Sequence, residues 1–382
     1  MRKEQNVPKR ILFITGTRAD YGKIKSLMKT MDHSDRYEVF IYVSGMHLLS
    51  QYGSTYREVL KDQYENVHVA FGQQHTDDMS YNLGVVLTNL APYTAQVRPD
   101  MIVVHGDRID ALAGAITGAL NNILVAHIEG GEISGTIDDS IRHAVSKFAH
   151  LHFVCNEEAK KRIIQLGESE KHIFVIGSPD IDIMLGNHLP SLDKAKTYYD
   201  ITFDEYAIFM YHPVTTEVAQ LGEHIKRVVE ALRISKRNYV VIYPNNDLGT
   251  EIILENVRKL DEEEHFAVYP SLRFEYFLTL LRHAQFIIGN SSAGIRESGI
   301  YGVPAVDIGT RQEGRYDQNT LKNVQHVEES VEEITEAIRR TEEHAIRCHN
   351  FGLGNSTEKF LQILDQEDIW KCEIQKRFVD LS

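Results

Sequence analysis

The chain has 382 residues, 42% of them hydrophobic and 25% charged, a globular balance that suits two cores of roughly 200 residues or fewer each. A formal net charge of −14, from 41 basic and 55 acidic residues, speaks against nucleic acid or an anionic membrane as partner. It leaves a small polyanion open, because a phosphate needs only a local cluster of cations and backbone N–H groups.

The leader, residues 1–10, is basic, but the apolar stretch 11–14 is far shorter than the ~7–15 residues of a signal-peptide core and reads as a first strand. No apolar run approaches the ~18 residues of a membrane span. Short β-rich runs then alternate with helical patterns, the signature of parallel α/β units. Strands are predicted over 10–15, 37–43, 66–71, 101–105, 123–128, 152–155 and 173–176. A polar, Pro-broken stretch, 186–192, follows and reads as a linker. Strands resume over 207–211, 239–243, 266–268, 286–288 and 305–308, with a helix over 222–234 and a further helix over 356–376. The expected organisation is two doubly wound α/β domains, 1–186 and 187–355, with 356–382 completing the second or crossing back to the first. Cys155, Cys348 and Cys372 are widely spaced with no CxxC, which fits reduced thiols in the cytoplasm and neither a disulfide framework nor a zinc site.

Ligands of open parallel sheets sit outside the carboxyl ends of the strands, and chemistry-bearing residues gather there. The strand 101–105 runs into Gly106-Asp107-Arg108, and the strand 123–128 into Glu129-Gly130-Gly131-Glu132. Two acids on successive strand ends, each beside glycine, are expected to face a ligand crevice. Asp138 opens an amphipathic helix with Ile141, Val145 and Phe148 on its apolar side; Arg142 lies one turn on, on the Asp138 face. An acid there also complements the helix dipole without any further role. In the second half, Asn290-Ser291-Ser292-Ala293-Gly294 joins a strand to a helix start and suits a diphosphate, with Glu297 placed for ribose hydroxyls. Ser at a helix start is also an ordinary cap. His212 ends a strand and is a candidate phosphate ligand or acid. The loop after the first strand, with Arg18 and Lys23, is basic, but there is no GxGxxG and no GxxxxGK[ST] motif, so neither a nicotinamide cofactor nor nucleotide hydrolysis is expected. No HExxH-type spacing appears; His105 with Asp107 is the one pair weighed as a cation site, and no metal is expected.

Nine motifs in order closely resemble the hydrolysing UDP-N-acetylglucosamine 2-epimerases of bacterial sialic acid synthesis. They are Thr15-Gly-Thr-Arg-Ala-Asp20, His105-Gly-Asp-Arg108, His127-Ile-Glu-Gly-Gly-Glu132, Asp138-Asp-Ser-Ile-Arg-His143, His212-Pro-Val-Thr-Thr216, Tyr243-Pro-Asn-Asn246, Arg273-Phe-Glu-Tyr276, Asn290-Ser-Ser-Ala-Gly-Ile-Arg-Glu297 and Gly309-Thr-Arg-Gln312. The match resumes at Gln375-Lys-Arg-Phe-Val-Asp-Leu381 and is poor over 313–354. The resemblance implies two Rossmann-like domains in a glycosyltransferase-B-like fold with the active site in the interdomain cleft. It implies no cofactor, no metal, a cytoplasmic homodimer or homotetramer, and UDP-N-acetylglucosamine as substrate. By the same resemblance Asp107, Glu129 and Asp138 serve the sugar as acids and bases, joined by His212. Arg18, His212, Ser291 and Ser292 take the diphosphate and Glu297 the ribose; Lys23, Arg108, Arg142, Arg273, Gly294 and Arg311 complete the substrate-binding set. The implied reaction eliminates UDP to give 2-acetamidoglucal, then hydrates it to N-acetylmannosamine. Relatives acting on UDP-diacetamidobacillosamine or GDP-N-acetylglucosamine, a non-hydrolysing epimerase and a non-catalytic nucleotide-sugar sensor are the competing readings.

Overall fold

The computed structural model describes residues 7–72, 76, 78–134, 136–187, 189–245, 247–317 and 319–380. Leader residues 1–6, His188 of the linker, Asn246 of the Tyr243 motif and Leu381 lie outside the described residues. The chain forms two compact units. One holds Met1–Glu132, Asp138–Leu185 and Phe351–Ser382, the other Ile133–Ile137 and Gly186–Asn350.

The first unit is built on seven parallel strands: β1 (Lys9–Thr15), β2 (Tyr37–Val43), β3 (Asn66–Val69), β4 (Met101–His105), β5 (Leu124–Ile128), β6 (Leu151–Val154) and β7 (Ile173–Val175). Their spatial order is β3-β2-β1-β4-β5-β6-β7. Side chains of a strand alternate between faces, and the sequence exploits this. Ile11, Phe13, Val39, Ile41, Met101 and Val103 meet Ile24, Leu27 and Met28 of the helix Arg18–Asp32 on one face. Leu12, Ile14, Phe40, Tyr42, Ile102 and Val104 meet Ala111, Ala115, Ile141 and Val145 on the other. A sheet covered on both faces needs near-continuous apolar strands, which these are.

The second unit repeats the plan with β8 (Ala207–Met210), β9 (Tyr239–Ile242), β10 (Phe266–Tyr269), β11 (Ile287–Gly289), β12 (Ala305–Ile308) and β13 (Val324–Val327), all parallel. Their order is β10-β9-β8-β11-β12-β13. The helix expected over 222–234 runs Val218–Ser235 and buries Ile225, Val228, Val229 and Leu232. In each sheet the strand order reverses once, between β1 and β4 and between β8 and β11, and ligands of such sheets bind at that switch point.

Two expectations need correction. The edge strand β13 has no predicted counterpart, because Gln325 and His326 interrupt its apolar run. The helix expected over 356–376 stops at Leu364, where Trp370 Nε1 donates to the Leu364 carbonyl at 2.9 Å and a separate 3₁₀ turn, Glu367–Lys371, follows. The remaining tail packs on the first unit: His150 Nε2 meets the Ile374 carbonyl at 3.0 Å, and Lys376 reaches the end of the helix Ile137–Phe148. No helix among the described residues is long and apolar enough to cross a membrane.

Candidate active site

In the first unit the switch point is lined by the turns after β1, β4 and β5. Thr17 caps the helix Arg18–Asp32 by accepting the Asp20 N–H at 3.1 Å, and Asp20 takes the Gly16 N–H at 3.1 Å. Asp20 then meets His105 Nδ1 at 2.8 Å, while His105 Nε2 lies 3.2 Å from Glu129. Burial disfavours charge on His105, but Glu129 and Asp20 outweigh it and push its pKa up to about 10.

Glu129 is buried, and its backbone sits at φ 65°, in the left-handed region that costs a residue with a Cβ roughly 1–2 kcal/mol. Strain of this kind persists where surroundings dictate it, and it gathers at functional sites. Ser178 donates to the Glu129 carboxylate, and Glu129 N–H donates to the Phe153 carbonyl at 2.9 Å. The flanking glycines meet the expectation of tight turns: Gly106 has φ 68° and Gly131 φ 78°, where a Cβ would strike the Ala159 carbonyl. His127 braces the first turn from below, its Nε2 2.8 Å from the Gly106 carbonyl and its Nδ1 3.0 Å from Ser146. Burial pushes the His127 pKa down to about 3, so it stays neutral.

Asp107 is partly exposed and is gripped by Arg142, whose side chain is 1% exposed. Arg142 also donates to the Glu132 carbonyl and to Asp139, both at 3.1 Å. Burial works against its charge, yet Asp107, Glu132 and Asp139 hold the guanidinium above its ordinary value. Asp138, in the first turn of the helix Ile137–Phe148, lies 3.8 Å from Arg108. Arg18 pairs with Glu58 at 2.9 Å, and Lys23 is buried against Asp180 at 3.2 Å. Glu129, Glu132 and Cys155, all buried, hold ligand atoms within 4.8 Å of one another and form a metal-capable group among the described residues of this unit.

In the second unit the switch point lies between the ends of β8 and β11. His212 N–H donates to Asn290 Oδ1 at 2.6 Å, and Asn290 Nδ2 donates back to the His212 carbonyl at 2.9 Å, locking the two strand ends together. The Asn245 N–H donates to His212 Nδ1 at 2.9 Å, so the neutral ring carries its proton on Nε2. Arg311 and Gln312 both donate to the Asn290 carbonyl, at 3.2 and 2.8 Å. Ser291 is buried and takes the Ala293 N–H at 3.3 Å; Ser292 precedes the short helix Ala293–Arg296, which contains Gly294, and Glu297 is buried just after it. Arg273 stands apart, after the edge strand β10, with its guanidinium 5.5 Å from the Tyr276 ring centre.

Comparison with known proteins decides the family. A family model described as UDP-N-acetylglucosamine 2-epimerase matches residues 29–365. The chain belongs to the UDP-N-acetylglucosamine 2-epimerase family. It is 45% identical over 98% of its length to all of a UDP-N-acetylglucosamine 2-epimerase of Neisseria meningitidis serogroup B. It is 30% identical, over 93% of this chain and 95% of the relative, to a hydrolyzing UDP-N,N'-diacetylbacillosamine 2-epimerase of Legionella pneumophila. Among solved structures, a Methanocaldococcus jannaschii UDP-GlcNAc 2-epimerase in complex with UDP-GlcNAc and UDP aligns with a TM-score of 0.78 at 20% identity, over 93% of this chain and 99% of that one. That likeness carries the fold, two Rossmann-like α/β domains of the glycosyltransferase-B-like class.

Of the groups that hold the strand-end acids, Arg142, Arg108 and His105 stand out in the sequence, while two that fix the Glu129 clamp do not. Ser178 drew no attention, and Asp20 entered only as the end of a matching motif. Their partners are distant in sequence, and no local pattern announces a hydrogen bond from residue 178 to residue 129.

Proposed function

We propose that the protein is a hydrolysing UDP-N-acetylglucosamine 2-epimerase, converting UDP-N-acetylglucosamine and water to N-acetylmannosamine and UDP. The C2 hydrogen of the sugar is barely acidic, so direct deprotonation is prohibitive. Loosening the C1–O bond to UDP builds oxocarbenium character and acidifies C2–H. A carboxylate removes that proton as the C1–O electrons leave with UDP, giving 2-acetamidoglucal. Water then adds to C1, losing a proton, and C2 regains a proton on the opposite face. Asp107, Glu129 and Asp138 handle these protons, each transfer group being worth roughly 10²–10⁴ in rate.

His212, with its proton on Nε2, donates to the departing diphosphate, assisted by Arg311, Ser291 and Ser292 and by Arg18, while Glu297 accepts from the ribose. Lys23 and Arg142 act from behind, holding Asp180 and Asp107. Arg108 steadies Asp138. The hydrolyzing name of the Legionella relative supports release of free sugar and also makes the bacillosamine nucleotide the second substrate to test.

The observation that carries this reading is the clamp on Glu129, a left-handed residue pinned between His105 and Ser178 at a sheet switch point. A protein that only sensed the nucleotide sugar would gain nothing from a strained, charge-paired acid. The test is ¹H and ³¹P NMR of the protein with UDP-N-acetylglucosamine. Free N-acetylmannosamine and UDP in equal amounts are expected. UDP-N-acetylmannosamine would mark a non-hydrolysing epimerase, and binding without turnover a sensor.

A further inference from the structure

The second unit carries a group of metal-binding side chains that the proposed reaction does not use. Glu217, His224 and Glu329 are half-buried, and each offers a ligand atom within 4.8 Å of the other two. Glu217 stands just before the helix Val218–Ser235, and His224 follows two turns later on the same face. Glu329 lies just beyond β13, with Oε1 3.5 Å from His224 Nδ1.

Each carboxylate accepts a neutral hydroxyl: Tyr211 donates to Glu329 at 3.0 Å, and Thr310 to Glu217 at 2.6 Å. Among the described residues neither glutamate pairs with a lysine or arginine. Two carboxylates held this close repel, and a bound cation removes that cost.

We propose that Glu217, His224 and Glu329 bind a divalent cation, with zinc the best match to one imidazole and two carboxylates. Three protein ligands and a water complete a tetrahedral shell. Ligand atoms 2.0–2.1 Å from a tetrahedral ion stand about 3.3 Å apart, so the His224–Glu329 pair at 3.5 Å is already near its bound spacing.

The ion braces two turns at once. Tyr211 directly precedes His212, and Gly309 and Thr310 directly precede Arg311. Gly309 has φ 71°, and a Cβ there would overlap the Glu329 carboxylate, so the turn and the ligand are packed against each other. The site supports the fold and carries no chemical step, so it stands or falls apart from the proposed reaction.

The test is calorimetric titration of the metal-free, full-length protein with Zn²⁺, with Co²⁺ absorption in parallel. A Cys372→Ser background removes the thiol 3.7 Å from His172, another pair that zinc could occupy. Wild-type ligands should bind one ion with tetrahedral cobalt bands. His224→Ala and Glu329→Gln should each weaken that binding by about 100-fold or more, beyond the loss of a mere supporting group. Glu329→Gln keeps an acceptor for Tyr211, and unfolding curves of the metal-free variants verify that both fold. Zinc binding left intact by both variants, or no binding by the unmutated site, would overturn the proposal.

Discussion

Lys376→Met should destabilise the first unit by about 3 kcal/mol, although every group that its ammonium binds lies more than 200 residues earlier in the chain. Lys376 Nζ donates to the carbonyls of Ser146 at 3.3 Å, Lys147 at 2.7 Å and Ala149, capping the end of the helix Ile137–Phe148. It also pairs at 2.7 Å with Glu168, whose side chain is 4% exposed. Burial would raise the Glu168 pKa, but His152, Lys147 and Lys376 pull it from 4.5 down to about 2. That depression corresponds to about 3 kcal/mol at neutral pH, shared among His152, Lys147 and Lys376, and is offset in part by the burial that lowers the Lys376 pKa. Losing the capped carbonyls costs about 1–3 kcal/mol, and with part of the Glu168 pairing lost as well the total comes to about 3 kcal/mol. The expected fall in Tm at pH 7 is roughly 6–12 °C by circular dichroism. Because the folded pKa of Glu168 is lowered, its contribution is complete above about 4.5 and disappears as pH falls through about 2. The gap between variant and wild type should therefore narrow at pH 3, and Glu168→Gln should abolish part of it in a double-mutant cycle. A fall of less than about 2 °C at pH 7 would mean the tail is not anchored by this lysine.

His105 should remain protonated on both ring nitrogens at pH 8, visible in long-range ¹⁵N spectra; a neutral tautomer there would contradict the Asp20–His105–Glu129 clamp. With its folded pKa raised, the stability it contributes is complete below about 6.5 and lost as pH rises through about 10, so His105→Gln should flatten the alkaline limb of the stability profile. Asp107→Asn, Glu129→Gln and Asp138→Asn should each lower kcat by roughly 10²–10⁴ with little change in UDP affinity, and a variant near wild-type turnover would return its residue to a structural role. Ser291→Ala with Ser292→Ala should weaken UDP binding by about 1.5–3 kcal/mol per lost charge-assisted bond; unchanged affinity in a UDP titration would move the diphosphate to other donors.

The doubly wound plan was legible because parallel strands buried on both faces must be continuously apolar, as Ile11–Ile14 and Met101–Val104 are. The position of Asp107 and Glu129 beside the switch point was legible for a topological reason, both being polar residues beside glycine at strand ends. What escaped depends on long-range contact. Lys23 and Arg142 read from sequence as substrate cations, yet one is buried on Asp180 and the other beneath Asp107. The left-handed backbone of Glu129 cannot be read from a residue type that normally avoids it. Strand β13 was hidden because an edge strand tolerates polar residues such as Gln325 and His326.

Elimination followed by hydration leaves its mark on the product, where isotope labelling reads it. The enzyme is incubated with UDP-N-acetylglucosamine in D₂O and, separately, in H₂¹⁸O, and sugar and UDP are read by NMR and mass spectrometry. N-acetylmannosamine should carry deuterium at C2, with ¹⁸O on the sugar and none in UDP. Protium at C2, or ¹⁸O in UDP, would contradict it.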